Sequence, residues 1–293
     1  MNIKCEIAKN LIRYYNDIFI EIEERKVTFG EFQRASGRIS QFLSNYNLQN
    51  PVLVIGHKNA EMLMIFYACF NMGIAYASID TSTPLERILC IYKELDPSIT
   101  FVCEKNMSLG VEDEISYNML SMICKSGIIK TDGREKHLSD TAYIMFTSGT
   151  TGKPKGILIS YEALFNFINW IDSILPEKRF TIINQSLFSF DISIFDFYYS
   201  LFRACKMICI TRNNQHEIID YIQGETKVLL FSTPSYIKKI IYENKNKAKD
   251  VQALKVLLIG GDYLDLKLAR ESMNMFKTAN IYNLYGPTEA TGL

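Results

Sequence analysis

Residues 143–156 read YIMFTSGTTGKPKG. Residues 143–146 are apolar and β-prone, so they form a buried strand that ends where Thr147, Ser148, Thr150 and Thr151 begin to offer hydroxyl donors. Gly149, Gly152 and Gly156 let backbone amides approach an anion closely, and Lys153 and Lys155 place positive charge where phosphate oxygens would crowd. A strand feeding such a loop suits a polyphosphate. The spacing is not that of a Walker loop, because Pro154 stands five residues after Gly149 where a glycine followed by Lys and Ser/Thr would be needed. A single Gly-Lys pair would read as a flexible surface loop, but the whole run favours anion binding.

Outward from this stretch, strand-like runs at 51–56, 99–103, 142–146, 156–159, 181–183, 207–211, 227–231, 254–259 and 280–285 alternate with helical patterns. That alternation predicts an α/β fold of layered, largely parallel sheets with flanking helices. Thr83-Pro84-Leu85-Glu86 reads as a capping box with proline at the first helical position, and Thr233-Pro234 repeats the cap and proline. Loops at the carboxyl ends of parallel strands gather ligands, so those after Phe146, Phe231, Ile259 and Tyr285 are expected to form one site. The charged stretch 125–140 marks a subdomain boundary near residue 140, dividing the chain into 1–140 and 141–293.

With 293 residues, 48% of them hydrophobic, the chain can bury a large core. Thirty-two basic and 32 acidic residues cancel, which leaves no overall field to attract nucleic acid or an anionic membrane. The seven cysteines (5, 69, 90, 103, 124, 205 and 209) include no Cys-x-x-Cys, and most lie in apolar runs, which fits a reducing cytoplasm. Cys205 and Cys209 lack partners at ligand spacing, and His57, His137 and His216 are scattered, so no zinc site is expected. The strongest apolar run, 62–70, is far short of a membrane span. Residues 243–250, ENKNKAKD, read as a solvated connection.

Five ordered motifs resemble those of the adenylate-forming superfamily, which includes peptide synthetase adenylation domains and acyl-CoA synthetases. They are VTFGEF at 27–32, MGIAYASID at 72–80, the phosphate loop, FDIS at 190–193 and NLYGPTE at 283–289. Within the superfamily, VIGH at 54–57, NQSLFSFD at 184–191, STPS at 232–235 and residues 285–291 are most similar to D-alanine:carrier protein ligases. The resemblance implies activation of a small amino acid, D- or L-alanine, by ATP and Mg²⁺ as an aminoacyl-adenylate. The acyl group then passes to a phosphopantetheinyl carrier protein. It implies Asp191 as the partner of the substrate's α-ammonium, a charge-assisted pair that separates amino acids from plain acids. The structural alternative for Asp191 is an N-cap on a helix beginning at Ile192.

The same resemblance places Tyr285 on the adenine face, with Asn283 and Gly261 beside the base and Gly286 next in the motif. Thr147, Ser148, Gly149, Thr150, Thr151, Gly152, Lys153 and Lys155 are given to ATP. Thr288, Glu289 and Lys155 form the catalytic set, with Thr288 near the α-phosphate and Glu289 a Mg²⁺ ligand. Because the substrate carboxylate itself attacks the α-phosphorus, no side-chain nucleophile is nominated. The side-chain pocket falls to Ile192, Phe195, Phe231, Leu258, Gly260, Leu284 and Leu293, bulky walls that favour a small substrate. Gly260 departs from the cysteine of D-alanine ligases and matches peptide synthetases, which leaves stereochemistry open; Ser78 stands where proline is usual, and Ala204-Cys205 where a glycine pair is usual. Members of the superfamily continue past the point matching Leu293 into a ribose-binding aspartate, a hinge and a lid bearing a lysine. This 293-residue chain is therefore expected to bind ATP weakly and to adenylate poorly or not at all. The alternatives kept are a peptide synthetase adenylation domain, an acyl-CoA synthetase and a non-catalytic gene fragment.

Overall fold

The computed structural model describes residues 3–127, 140–148, 153–244 and 251–290. They form two compact units: one contains residues up to 26, 167–186 and 191 onward, the other residues 27–166 and 187–190.

The first unit is organised on a seven-stranded sheet. Its strands are β1 (Ile18–Ile22), β2 (Arg25–Thr28), β9 (Thr181–Asn184), β10 (Lys206–Cys209), β11 (Val228–Ser232), β12 (Leu254–Ile259) and β13 (Asn280–Asn283), in the order β13-β12-β11-β9-β10-β1-β2. From β13 to β1 every neighbour is parallel. Ile183, Leu230, Leu257 and Ile259 face the helices Pro234–Glu243 and Leu266–Met275 through Ile237, Ile240 and Leu268. The helix Asp191–Arg203 is apolar nearly all round, and its residues from 193 to 202 are buried, as expected of a helix sealed on every side. Its far end is anchored twice. Asn10 Nδ2 donates to the carbonyls of Leu201 and Phe202 (3.2 and 2.8 Å), and Arg203 grips Asp172 with Nε and Nη2 (2.8 and 2.5 Å).

The second unit carries β3 (Val52–Gly56), β4 (Tyr76–Asp80), β5 (Ile99–Val102), β6 (Glu114–Ile115), β7 (Thr141–Ser148) and β8 (Pro154–Ser160), ordered β6-β5-β3-β4-β7-β8. All pairings are parallel except β7 with β8. The uninterrupted apolar run of β3 is wholly buried, as a central parallel strand must be. Helices cover both faces. Ile88 and Ile91 of Leu85–Leu95 pack on Leu53, Ile55, Ala77 and Ile79, while Phe66 of Ala60–Met72 stacks on Tyr76 with ring centres 4.4 Å apart.

All nine strands read from the sequence are present; β1, β2, β4 and β6 were not predicted. The predicted capping box at Thr83 does not form. The helix starts at Leu85 with Pro84 as its cap residue and no side-chain cap, and the Thr83 amide instead donates to the Asp80 carbonyl at 2.9 Å. Thr233 does cap its helix, accepting from the Tyr236 amide. A full capping box stands at Thr28 and Glu31: the Thr28 hydroxyl accepts from the Glu31 amide at 3.1 Å, and Glu31 Oε2 accepts from the Thr28 amide at 2.8 Å. The compact units also divide elsewhere than at residue 140. Residues 141–166 go with the second unit because β7 pairs with β4, an association no local composition reveals. Among the described residues, no helix is long and apolar enough to cross a membrane.

The Thr28 cap gives a direct test of local stability. Thr28→Ala should lower the urea midpoint with an unchanged slope, by about 1 kcal/mol, the usual worth of a lost N-cap.

Candidate functional site

The carboxyl ends of β11, β12 and β13 lie side by side, and their exits are stitched through the backbone. The Gly260 amide donates to the Ser232 carbonyl at 3.0 Å, and the Leu284 amide to the Ile259 carbonyl at 2.7 Å. This closeness leaves little space at 260, where a Cβ would meet the Leu284 carbonyl oxygen and the Phe231 ring at 3.2 Å each. Gly261 follows at φ +85°, in the left-handed region, with the place of a Cβ 3.5 Å from the Thr233 methyl and 3.9 Å from Ile192 Cδ1. Two helix starts, at Ile192 and at Thr233, thus converge on one glycine pair.

The predicted pocket walls assemble here. Phe231 and Leu258 are register partners in β11 and β12 on the face away from Leu230 and Leu257. Phe195 meets Phe231 edge to face, ring centres 5.8 Å apart, and Leu284 is buried.

Asp191 is the first residue of its helix, inside rather than before it. Its Oδ1 is shut off from water and accepts no hydrogen bond among the described residues. Burial pushes this carboxyl up to about 6; the Thr288 hydroxyl opposes the shift by hydrogen bonding to it, and the negative charge of Glu289 adds to it. Asp191, Thr288 and Glu289, predicted separately, therefore act on one another, with Thr288 and Glu289 in the short 3₁₀ turn Thr288–Ala290.

The residues that the family resemblance gives to ATP fall in both units. Tyr285 follows β13 with 90% of its surface exposed, so a ring face is open to stacking. Asn283 and Glu289 are exposed and Gly286 is half-buried. In the second unit, Thr147 and Ser148 close β7 and pair with Lys155 and Pro154 of antiparallel β8; Lys153 and Lys155 are exposed. Gly149, Thr150, Thr151, Gly152 and Leu293 lie outside the described residues. Glu289 as one exposed carboxylate fits a Mg²⁺ that draws its remaining oxygens from phosphate and water.

The sequence left two features unread. Ser232 Oγ is buried beside the Gly260 contact without a hydrogen-bond partner among the described residues. His57, taken as scattered, places Nδ1 2.6 Å from Asp80 Oδ2, while the Ser82 amide and hydroxyl donate to Asp80 Oδ1. Burial alone would raise the Asp80 carboxyl, but these bonds hold it down to about 2. Residues Gly56 and Asp80 are register partners, a proximity invisible to sequence spacing.

Asp191 yields a stability prediction. Its folded value of about 6 lies above the ordinary 3.8, so its ionisation opposes folding fully above pH 6 and not at all below about 4. Asp191→Asn should therefore stabilise the chain at pH 8, by up to about 3 kcal/mol at full shift, with the gain vanishing by pH 4 in urea titrations.

Comparison with known proteins follows this geometry. Residues 8–293 match the family of AMP-binding enzymes. The chain is 31% identical over 286 residues to the D-alanine--D-alanyl carrier protein ligase of Listeria monocytogenes serotype 4b, covering 91% of this chain and 54% of that protein. It is also 31% identical over 282 residues to the same-named ligase of Bacillus licheniformis, covering 92% and 55%. The chain thus spans about half the length of these curated relatives. Among solved structures, VinN superposes with a TM-score of 0.87 at 14% identity, over 99% of this chain and 76% of that one. The N-terminal subdomain of Klebsiella oxytoca NpsA in complex with 3-hydroxybenzoyl-AMSN gives 0.83 at 16% identity, over 97% and 72%. At such identities these likenesses establish the fold alone.

Proposed function

This chain belongs to the AMP-binding enzyme family, and we propose that it carries the substrate-recognising part of a ligase that activates a small amino acid, D- or L-alanine, as its adenylate. The single observation behind this reading is Asp191. A buried carboxylate with an unpartnered oxygen and an elevated pKa is stabilised by any cation that enters, and an α-ammonium supplies both the charge and the hydrogen-bond donors. A plain carboxylic acid leaves that oxygen unpaired, so the site discriminates by what it fails to satisfy. The Phe195–Phe231 pair, Leu258 and Leu284 limit the side chain to a small one, while Gly260, lacking a Cβ, sets no steric bias between enantiomers.

The remaining residues take positioning and electrostatic roles. Ile192 serves the amino-acid site, and Tyr285, Asn283, Gly261 and Gly286 serve the adenine. Thr147, Ser148, Gly149, Thr150, Thr151, Gly152, Lys153 and Lys155 serve the phosphates. The substrate carboxylate attacks the α-phosphorus with release of pyrophosphate, and Thr288 and Lys155 offset negative charge that gathers there. When bound, Mg²⁺ would supply further charge neutralisation on the phosphates, held by Glu289. The relatives' shared name points to a carrier protein as the acceptor, which the family resemblance makes a phosphopantetheinyl one, in the reducing cytoplasm that the cysteine usage suits.

Calorimetry with sulfamoyl-adenylates tests the reading. The D- or L-alanyl compound should bind at least about tenfold more tightly than its propionyl counterpart, the factor expected of one charge-assisted hydrogen bond. Asp191→Asn should abolish the difference, and in the parent it should shrink as pH falls through about 6, where the carboxylate protonates. Equal affinities in the parent at pH 8 would overturn the assignment.

A further inference from the structure

We infer that Thr233 is a positioning residue for the base of the nucleotide: its methyl seats Gly261, its hydroxyl caps a helix, and the two tasks are separable. This rests on the proposed place of Gly261 beside the adenine. Thr233, Gly261 and Ile192 all belong to the first compact unit.

The chain around Gly261 is bonded on one side only. β12 ends at Ile259, and the Gly260 amide is still held by the Ser232 carbonyl at 3.0 Å. Beyond that point, among the described residues, neither the amide nor the carbonyl of Gly261 makes a hydrogen bond. Gly261 is exposed and stands at φ +85°, a conformation open to it because it has no Cβ. Side-chain packing is therefore what seats it. Apart from its chain neighbours, the described residues bring two atoms within 4 Å of the place a Cβ would take: Thr233 Cγ2 at 3.5 Å and Ile192 Cδ1 at 3.9 Å.

The nearer of the two is fixed by the helix start. The Thr233 hydroxyl accepts from the Tyr236 amide at 3.4 Å and pairs with the Ser235 hydroxyl at 3.0 Å, while the Thr233 carbonyl accepts from the Ile237 amide at 3.0 Å. Once one branch of a β-branched side chain is bonded, its χ1 is set and the other branch has a single direction. Here that direction is toward Gly261. A residue that caps without a methyl would leave an unbonded glycine free to sample more of its wide backbone range, and a base bound alongside would have to order it.

The test measures by calorimetry, at pH 8, how much the base adds to binding. The quantity is the affinity of the alanyl sulfamoyl-adenylate divided by that of the same compound lacking its adenine, in the 293-residue parent, Thr233→Ser and Thr233→Val. Thr233→Ser, which keeps the cap and loses the methyl, should lower this ratio by about threefold, the order of one buried methyl group, with the base-free affinity and the urea midpoint unchanged. Thr233→Val, which keeps the methyl and loses the cap, should hold the parental ratio and lower the midpoint. A folded Thr233→Ser at the parental ratio, or one that weakens both compounds equally, overturns the inference. So does a Thr233→Val that loses the ratio, since the cap and not the methyl would then be seating Gly261. Should Thr233→Ser fail to fold, Thr233→Asn, another good cap without a methyl, is read in the same way. A parental ratio of one would instead refute the placing of Gly261 beside the adenine, and this inference would fall with it.

Discussion

A carboxylate with one oxygen sealed from water and left without a donor is the constraint on which the candidate site depends. Such a group is unfavourable in an empty site, and the surrounding fold tolerates it because the helix that bears it is fixed independently. Asn10 and Arg203 hold the far end of that helix, and its buried face is fixed against the sheet by apolar packing. The Asp172 carboxyl at that end, which burial alone would raise, is drawn below its ordinary value chiefly by Arg203. A rigid support lets the near end remain unsatisfied, which is the condition for a binding group rather than a packing one.

The rest of the site follows from how parallel strands end. Adjacent strands of one direction deliver their exit loops to one side, so three consecutive exits, after β11, β12 and β13, share a small volume. Glycine at 260 lets the Leu284 carbonyl and the Phe231 ring approach with no Cβ crowding them at 3.2 Å. The contacts that close these strand ends are thus the contacts that bring Phe231, Gly260 and Leu284 together.

The sequence carried the fold class and nine strands because long apolar runs bounded by turn residues are local signals. It missed β1 and β2, whose short segments owe their strand state to neighbours in the sheet, and β4, which was taken up as part of a motif. The Thr83 cap failed for a similar reason. A Thr-Pro pair is only a candidate, and the Asp80 carbonyl claimed the Thr83 amide. For the site, the motifs named Asp191, Thr288 and Glu289 but could not say that they act on one another. Ser78 was visible only as a departure from pattern, since its partner, the Phe188 carbonyl, lies 110 residues away, beyond any local window.

Two carboxylates show how structure separates roles that composition cannot. Asp80 and Asp191 both stand where a strand or loop meets a helix, and both are withdrawn from water. Asp80 is met by His57 and by both donors of Ser82, which overcome its burial and hold it near 2. Its ionisation therefore favours folding above the ordinary 3.8 and ceases to do so as pH falls through about 2. Asp191 has the hydroxyl of Thr288 against burial and the charge of Glu289, and burial wins. The sign of the shift is thus set by burial weighed against the donors and charges around each carboxyl. A carboxylate whose donors are all internal belongs to the architecture, and one left short of donors awaits a ligand that brings them.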